Sequence, residues 1–147
     1  MKTFSMQVVT PEHIKRDPKK MKLLYIVREL GAVSERALAH LLHLAKEEKG
    51  LDLGYNFVVL GGKPVSRELM EDIRALLYVG FLENDPRTRK LKVTSMGLEF
   101  MEKNPLPPEE IKDVISVVNE LKPRISSIDA EVELAKEELT PRRRRRI

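Results

Sequence analysis

Cysteine and tryptophan are absent from the 147 residues, and aromatic residues make up only 5% of them. Without cysteine, disulfides and thiolate-held metals are excluded. With so few rings, a core must rest on Leu, Val, Ile and Met, and the 41% apolar content is enough to build one. No apolar run approaches the roughly 20 residues that span a bilayer. Met1–Pro11 also lacks the apolar stretch of a signal peptide, so the sequence predicts a cytoplasmic protein. Catalytic signatures are missing too: there is no Ser/His/Asp set, no paired acid and base and no dinucleotide fingerprint. Gly61-Gly62-Lys63 lacks the rest of a phosphate loop and reads as a turn. His40 and His43 stand three apart with no acidic residue spaced to complete a metal set, so they read as surface histidines. The expectation is a protein that is not an enzyme and needs neither cofactor nor metal.

Charge, in contrast, is abundant. Charged residues make up 34% of the chain, with a net charge of +4. A lack of Cys combined with many Lys, Arg and Glu also fits a heat-adapted protein. The charges are unevenly spread. Residues 1–106 carry 18 Lys/Arg against 14 Asp/Glu, residues 107–141 carry 4 against 9, and Arg142–Arg146 adds five cations. A basic body, an acidic arm and a cationic tip follow, and a polyanionic partner is favoured.

The order of elements is legible from periodicity. FSMQVV (Phe4–Val9) has strand character, and Thr10-Pro11 starts a short helical turn. Leu23, Leu24, Ile26, Val27 and Leu30 give a helix over Pro18–Leu30, closed by Gly31. Ser34 caps a second helix carrying Leu38, Leu41, Leu42 and Ala45, whose pattern dissolves in KEEKG and ends at Leu53-Gly54. Tyr55–Leu60 reads as a strand before the Gly61-Gly62 turn. Ser66 caps a third helix with Leu69, Met70, Ile73, Leu76, Leu77 and Gly80 on one face, and Phe81 is placed to fold back on it. Two short strands then flank Asp85-Pro86-Arg87-Thr88, the chemistry of a type I turn. Leu91 and Val93 point one way, Lys90, Lys92 and Thr94 the other. Thr94 or Ser95 caps a fourth helix, stopped by Pro105, Pro107 and Pro108.

Beyond Pro108 the pattern is a heptad. Ile111, Val114, Val118, Leu121, Ile125, Ile128, Val132, Ala135 and Leu139 alternate spacings of three and four, over about 44 Å at ~1.5 Å per residue. Pro123 falls outside the seam. In a parallel pair of chains, Arg124 would meet Asp129 and Glu131 would meet Lys136, both pairs of opposite sign. Ile115 and Val117 widen the first heptad, so that part has an alternative in packing on the body. The spacing predicts a homodimer joined by this arm. The expected division is 1–106 as a globular domain, 107–140 as a dimerisation arm and 141–147 as an Arg-rich tail.

Helix, helix, strand, helix and basic hairpin follow the order of a winged helix. The chain resembles archaeal winged-helix (winged helix-turn-helix) proteins in which a C-terminal helix joins two copies. The stretch LGYNFVVLGGKPVSRELMEDIRALLYVGFLE is also similar to Panacea-type winged-helix domains, where a strand and turn separate the second and third helices. The resemblance implies a mostly α, α+β fold and a double-stranded DNA partner, with a role in transcription regulation or chromatin. Such domains also serve as RNA binders or protein-docking adaptors of antitoxin or scaffold type. Candidate nucleic-acid contacts are Arg67 and Arg74 on the third helix, Arg87, Arg89, Lys90 and Lys92 on the hairpin, and Arg142, Arg143, Arg144, Arg145 and Arg146 in the tail. The third helix also carries Glu68, Glu71 and Asp72, a net negative count that sets repulsion against groove entry.

Overall fold

Five helices begin on side-chain oxygens that take up their free backbone N–H groups. The computed structural model describes residues 9–144, with the side chains of residue 133 and residues 135–144 outside that description. α1 (Pro11–Lys15) starts from Thr10, α2 (Pro18–Leu30) from Asp17 and α3 (Glu35–Lys49) from Ser34. Ser66 caps α4 (Arg67–Tyr78) and Thr94 caps α5 (Ser95–Lys103). Each such cap stabilises its helix by about 1 kcal/mol. α4 ends as its sequence demands: Gly80 takes φ +86°, its N–H bonds to Leu77 O, and Phe81 N–H bonds to Leu76 O. That pair of bonds is a Schellman closure, which needs glycine at the left-handed position.

Strands β1 (Val33–Ser34), β4 (Leu82–Asn84) and β5 (Lys90–Val93) form an antiparallel sheet in the order β1-β5-β4. A separate hairpin, β2 (Val58–Leu60) with β3 (Lys63–Val65), lies between α3 and α4. The architecture is a mixed α/β fold, mostly helical with small antiparallel sheets. Three boundaries depart from expectation. The strand expected over Tyr55–Leu60 is confined to Val58–Leu60, because Tyr55 turns inward and is buried. α3 runs through KEEK to Lys49, its Ala45 carbonyl accepting from Leu51 N–H at 3.0 Å past a left-handed Gly50. β1 was not anticipated, since two residues carry no period. Residues 4–8 of the expected first strand lie outside the described residues.

The heptad arm is one continuous helix, α6 (Pro108–Arg144), and it lies along α2 and α3 of its own chain. Val114, Val118, Leu121 and Ile125 are each at most 2% exposed, so these four positions of the seam expected to meet a partner chain are buried inside this one. Ile111, Ile128 and Val132 are half-buried at its margins, while the side chains of Ala135 and Leu139 lie outside the described residues. The charges expected to pair across a dimer are used internally as well. Arg124 makes a two-pronged contact with Glu48 of α3 at 2.6 and 3.1 Å. Asp129 accepts from Ser34 N–H at 2.9 Å, and Glu131 pairs with Arg36 at 3.3 Å. A three-four spacing specifies a helix partner without saying whose helix it is. Among the described residues, no helix is long and apolar enough to cross a membrane.

α5 is held close to β4 and β5 by one glycine. A Cβ added at Gly97 would lie 2.4 Å from Phe81 O and 2.8 Å from Val93 Cγ1. Two stability tests follow, both read by urea unfolding. Leu121→Ala is expected to destabilise the monomer by about 3 kcal/mol through loss of α6 packing. Gly97→Ala is expected to destabilise by about 2 kcal/mol through overpacking against backbone that cannot yield.

Candidate nucleic-acid interface

The rotation of α4 about its axis is set by what it buries. Leu69, Asp72, Ile73 and Leu76 face inward, leaving Arg67, Glu71, Arg74 and Tyr78 as an exposed stripe at helical spacing. Asp72 is the informative member. It is 4% exposed; its Oδ2 accepts from the Tyr55 hydroxyl at 2.7 Å, and Lys20 Nζ lies 3.1 Å from its Oδ1. Lys19 Nζ lies 3.9 Å from the same carboxylate and 5.0 Å from the centroid of the Tyr55 ring. Burial, then the hydrogen bond to Asp72, pushes the Tyr55 phenol far above its ordinary range, so it stays a donor. Lys20 also bonds Asp17 at 2.7 Å. Burial alone would lower the Lys20 pKa, but the two carboxylates raise it above its ordinary value. The repulsion counted against α4 is therefore corrected. Asp72 is neutralised inside the fold, and the outward stripe carries two arginines against Glu71.

Glu68 belongs to the helix start. Its carboxylate accepts from Ser66 Oγ at 3.1 Å and from Asn56 N–H at 3.4 Å. Hydrogen bonding to its own backbone N–H, then to Ser66, holds it below the usual glutamate range.

The second cationic group sits on the β4–β5 hairpin. The register places Leu82 opposite Val93, Glu83 opposite Lys92 and Asn84 opposite Leu91. Arg87, Arg89 and Lys92 are exposed, Lys90 is half-buried, and Lys92 approaches Glu83 at 3.7 Å. The turn differs from the expected Asp85–Thr88 type I closure. It closes one residue later, with Arg89 N–H on Asp85 O at 2.7 Å and Arg89 itself at φ +62°. The Asp85 carboxylate accepts from Arg87 N–H at 2.8 Å, and that bond comes first among the causes holding its pKa below the ordinary range. A left-handed arginine costs about 1 kcal/mol relative to glycine, so the hairpin carries strain at a cationic residue. A groove of about 620 Å³ runs from this turn to the start of α3 and Val132, lined by Arg36 and Arg89 among others.

His40 and His43 both lie on α3 and are half-buried. His43 packs edge-on against Phe57 at 5.4 Å, and His40 is held below its ordinary pKa by burial and then by the neighbouring His43. No cluster of three or more His, Cys, Asp or Glu suited to a metal is present among the described residues. The side chains of Arg142 to Arg146 lie outside the described residues. Two features escaped the sequence reading: Tyr78, which extends the α4 stripe, and the β2–β3 hairpin, which exposes apolar side chains. The inward place of Asp72 had a signal, since 69, 72, 73 and 76 already share one helical face.

Comparison with known proteins finds no family model, no curated protein and no solved structure that matches this chain.

The Asp72 cluster is testable through stability. Asp72→Ala is expected to destabilise by about 3 kcal/mol, because it strands a buried phenol and leaves Lys20 half its partners. The contribution of Lys20 should be complete below the ordinary lysine range and lost as pH rises through its elevated value. Urea midpoints should therefore fall less on going to strongly alkaline pH in the variant, whose Lys20 has lost one of the carboxylates that raise it, than in the parent.

Proposed function

We propose that the chain is a winged-helix protein that binds double-stranded DNA, acting in transcription regulation or chromatin organisation. The order α2, β1, α3, α4, β4, β5 and the sheet order β1-β5-β4 support this reading, with α4 as the groove-facing helix and the β4–β5 hairpin as the wing. The observation that carries it is the burial of Asp72, which turns α4 from an acidic helix into one with an outward Arg67–Arg74 stripe. The two arginines lie seven residues apart, about two turns, and suit bidentate contact with guanine edges. The exposed Arg87, Arg89 and Lys92 meet phosphates, which fixes register without reading sequence.

Fluorescence anisotropy with a labelled duplex at several salt concentrations tests this. Affinity should fall linearly with log salt, and each wing substitution to Ala should reduce that slope by about one while weakening all sequences alike. Arg67→Ala and Arg74→Ala should change the ranking of duplexes. Removing Arg142–Arg146 should weaken binding without abolishing it. No binding at low salt would sink the proposal, and tighter binding of duplex RNA than DNA would reassign the partner.

A further inference from the structure

The β2–β3 hairpin is the apolar exception on a charged surface. Val58, Val59 and Leu60 are 61%, 54% and 60% exposed, and Val65 is 43% exposed. Isolated exposed aliphatics are ordinary, but three in succession on one strand mark a contact surface. Among the described residues β2 pairs with β3 alone, while β3 backs onto α3, so the outer edge of β2 is open. An open, apolar strand edge is a template for another strand. From these observations we propose that this edge is a homodimer contact, formed by β2 of a second copy pairing antiparallel across a two-fold axis.

The register argues for a second copy over other occupants. The hairpin closes through Gly61 and Gly62, both at positive φ, with Leu60 opposite Lys63 and Val59 opposite Pro64. In a two-residue hairpin the residues flanking the turn exchange the hydrogen bonds, and the next pair points its N–H and C=O groups outward. Pro64, with no N–H, fits that outward position. Val59 therefore presents one donor and one acceptor to the open edge. Two antiparallel copies centred on Val59 satisfy both reciprocally, and they set Val58 of each beside Leu60 of the other. A two-fold contact must be complementary to itself, and this edge is.

Charge agrees with that register. The hairpin tip with Lys63 comes toward the root of the second hairpin, where Glu68 accepts from Asn56 N–H beside Arg67. The edge is short, so its area falls below the about 1,200 Å² of a stable interface and the association is a weak, concentration-dependent one.

The absence of cysteine makes the test direct. In full-length protein, sedimentation equilibrium should show a concentration-dependent dimer that Val59→Lys abolishes while its thermal unfolding stays that of the parent. Val59→Cys should form an intermolecular disulfide on mild oxidation, since a hydrogen-bonded antiparallel pair sets Cα atoms about 5.5 Å apart. Tyr78→Cys, exposed on α4, should form no intermolecular disulfide under the same treatment. A parent that is monomeric at every concentration overturns the proposal. So does a dimer that survives Val59→Lys, as one built on α6 would, or a hairpin whose variants change only binding to anionic lipid vesicles.

Discussion

A buried carboxylate determines how the outer face of α4 is presented. Moving an ionised Asp from water into a fold costs several kcal/mol unless hydrogen bonds and opposite charge offset it. Asp72 has both, from the Tyr55 hydroxyl and from Lys20, with Lys19 behind them. These partners come from different parts of the chain: the first turn of α2 and the segment that leads into β2. Apolar residues alone would tolerate a small roll of α4, because aliphatic side chains repack with little loss. A hydrogen-bonded carboxylate does not tolerate it, and the angle at which Arg67 and Arg74 meet solvent is fixed accordingly.

The long helix illustrates a different constraint. α6 buries Val114, Val118, Leu121 and Ile125 against α2 and α3, so the body's core is incomplete without it. Pro123 sits within that helix yet stays exposed. Proline removes one N–H, and the carbonyl four residues earlier loses its donor. Asn119, whose carbonyl is the one freed, is exposed as Pro123 is, so the loss falls on the solvent side and the helix passes through proline without losing the seam. The ion pairs of Arg124 and Glu131 with α3 add little individually because they are exposed. Their use is directional, since each favours one alignment of α6 on the body.

Much of this was legible in the chain before its coordinates. Ser34, Ser66 and Thr94 announce helix starts, and Gly80-Phe81 announces a closure, because capping chemistry is local. What was not legible depends on who meets whom. Periodicity shows that the arm has an apolar seam, but the choice between the chain's own helices and a copy's is a property of the assembled body. Counting Asp72 as a surface charge was an error of a different kind: composition records a charge, whereas its place on the helical face of 69, 73 and 76 already turned it inward. Gly97 carries no sequence signal at all, since its constraint is an oxygen atom of Phe81 sixteen residues earlier in the chain. The hairpin turn missed by one residue because Arg89 adopts a conformation that statistics reserve for glycine and asparagine.

With Val114, Val118, Leu121 and Ile125 of the heptad buried within the chain, the hairpin edge is the contact proposed to join two copies. Its position gives that contact a consequence for recognition. Val65 ends β3, Ser66 caps α4 and Arg67 is the first residue of that helix, so almost nothing lies between the strand pair and the exposed arginines of α4. A two-fold axis near Val59 would set the two α4 helices at a separation governed by rigid backbone and not by a flexible linker. A weak edge contact is then sufficient. If the proposed DNA binding holds, two bodies on one duplex would raise each other's effective concentration, so pairing that is transient in solution would become persistent on DNA whose half-sites match the spacing. The dimer would act as a gauge of spacing, with phosphate contacts supplying the affinity.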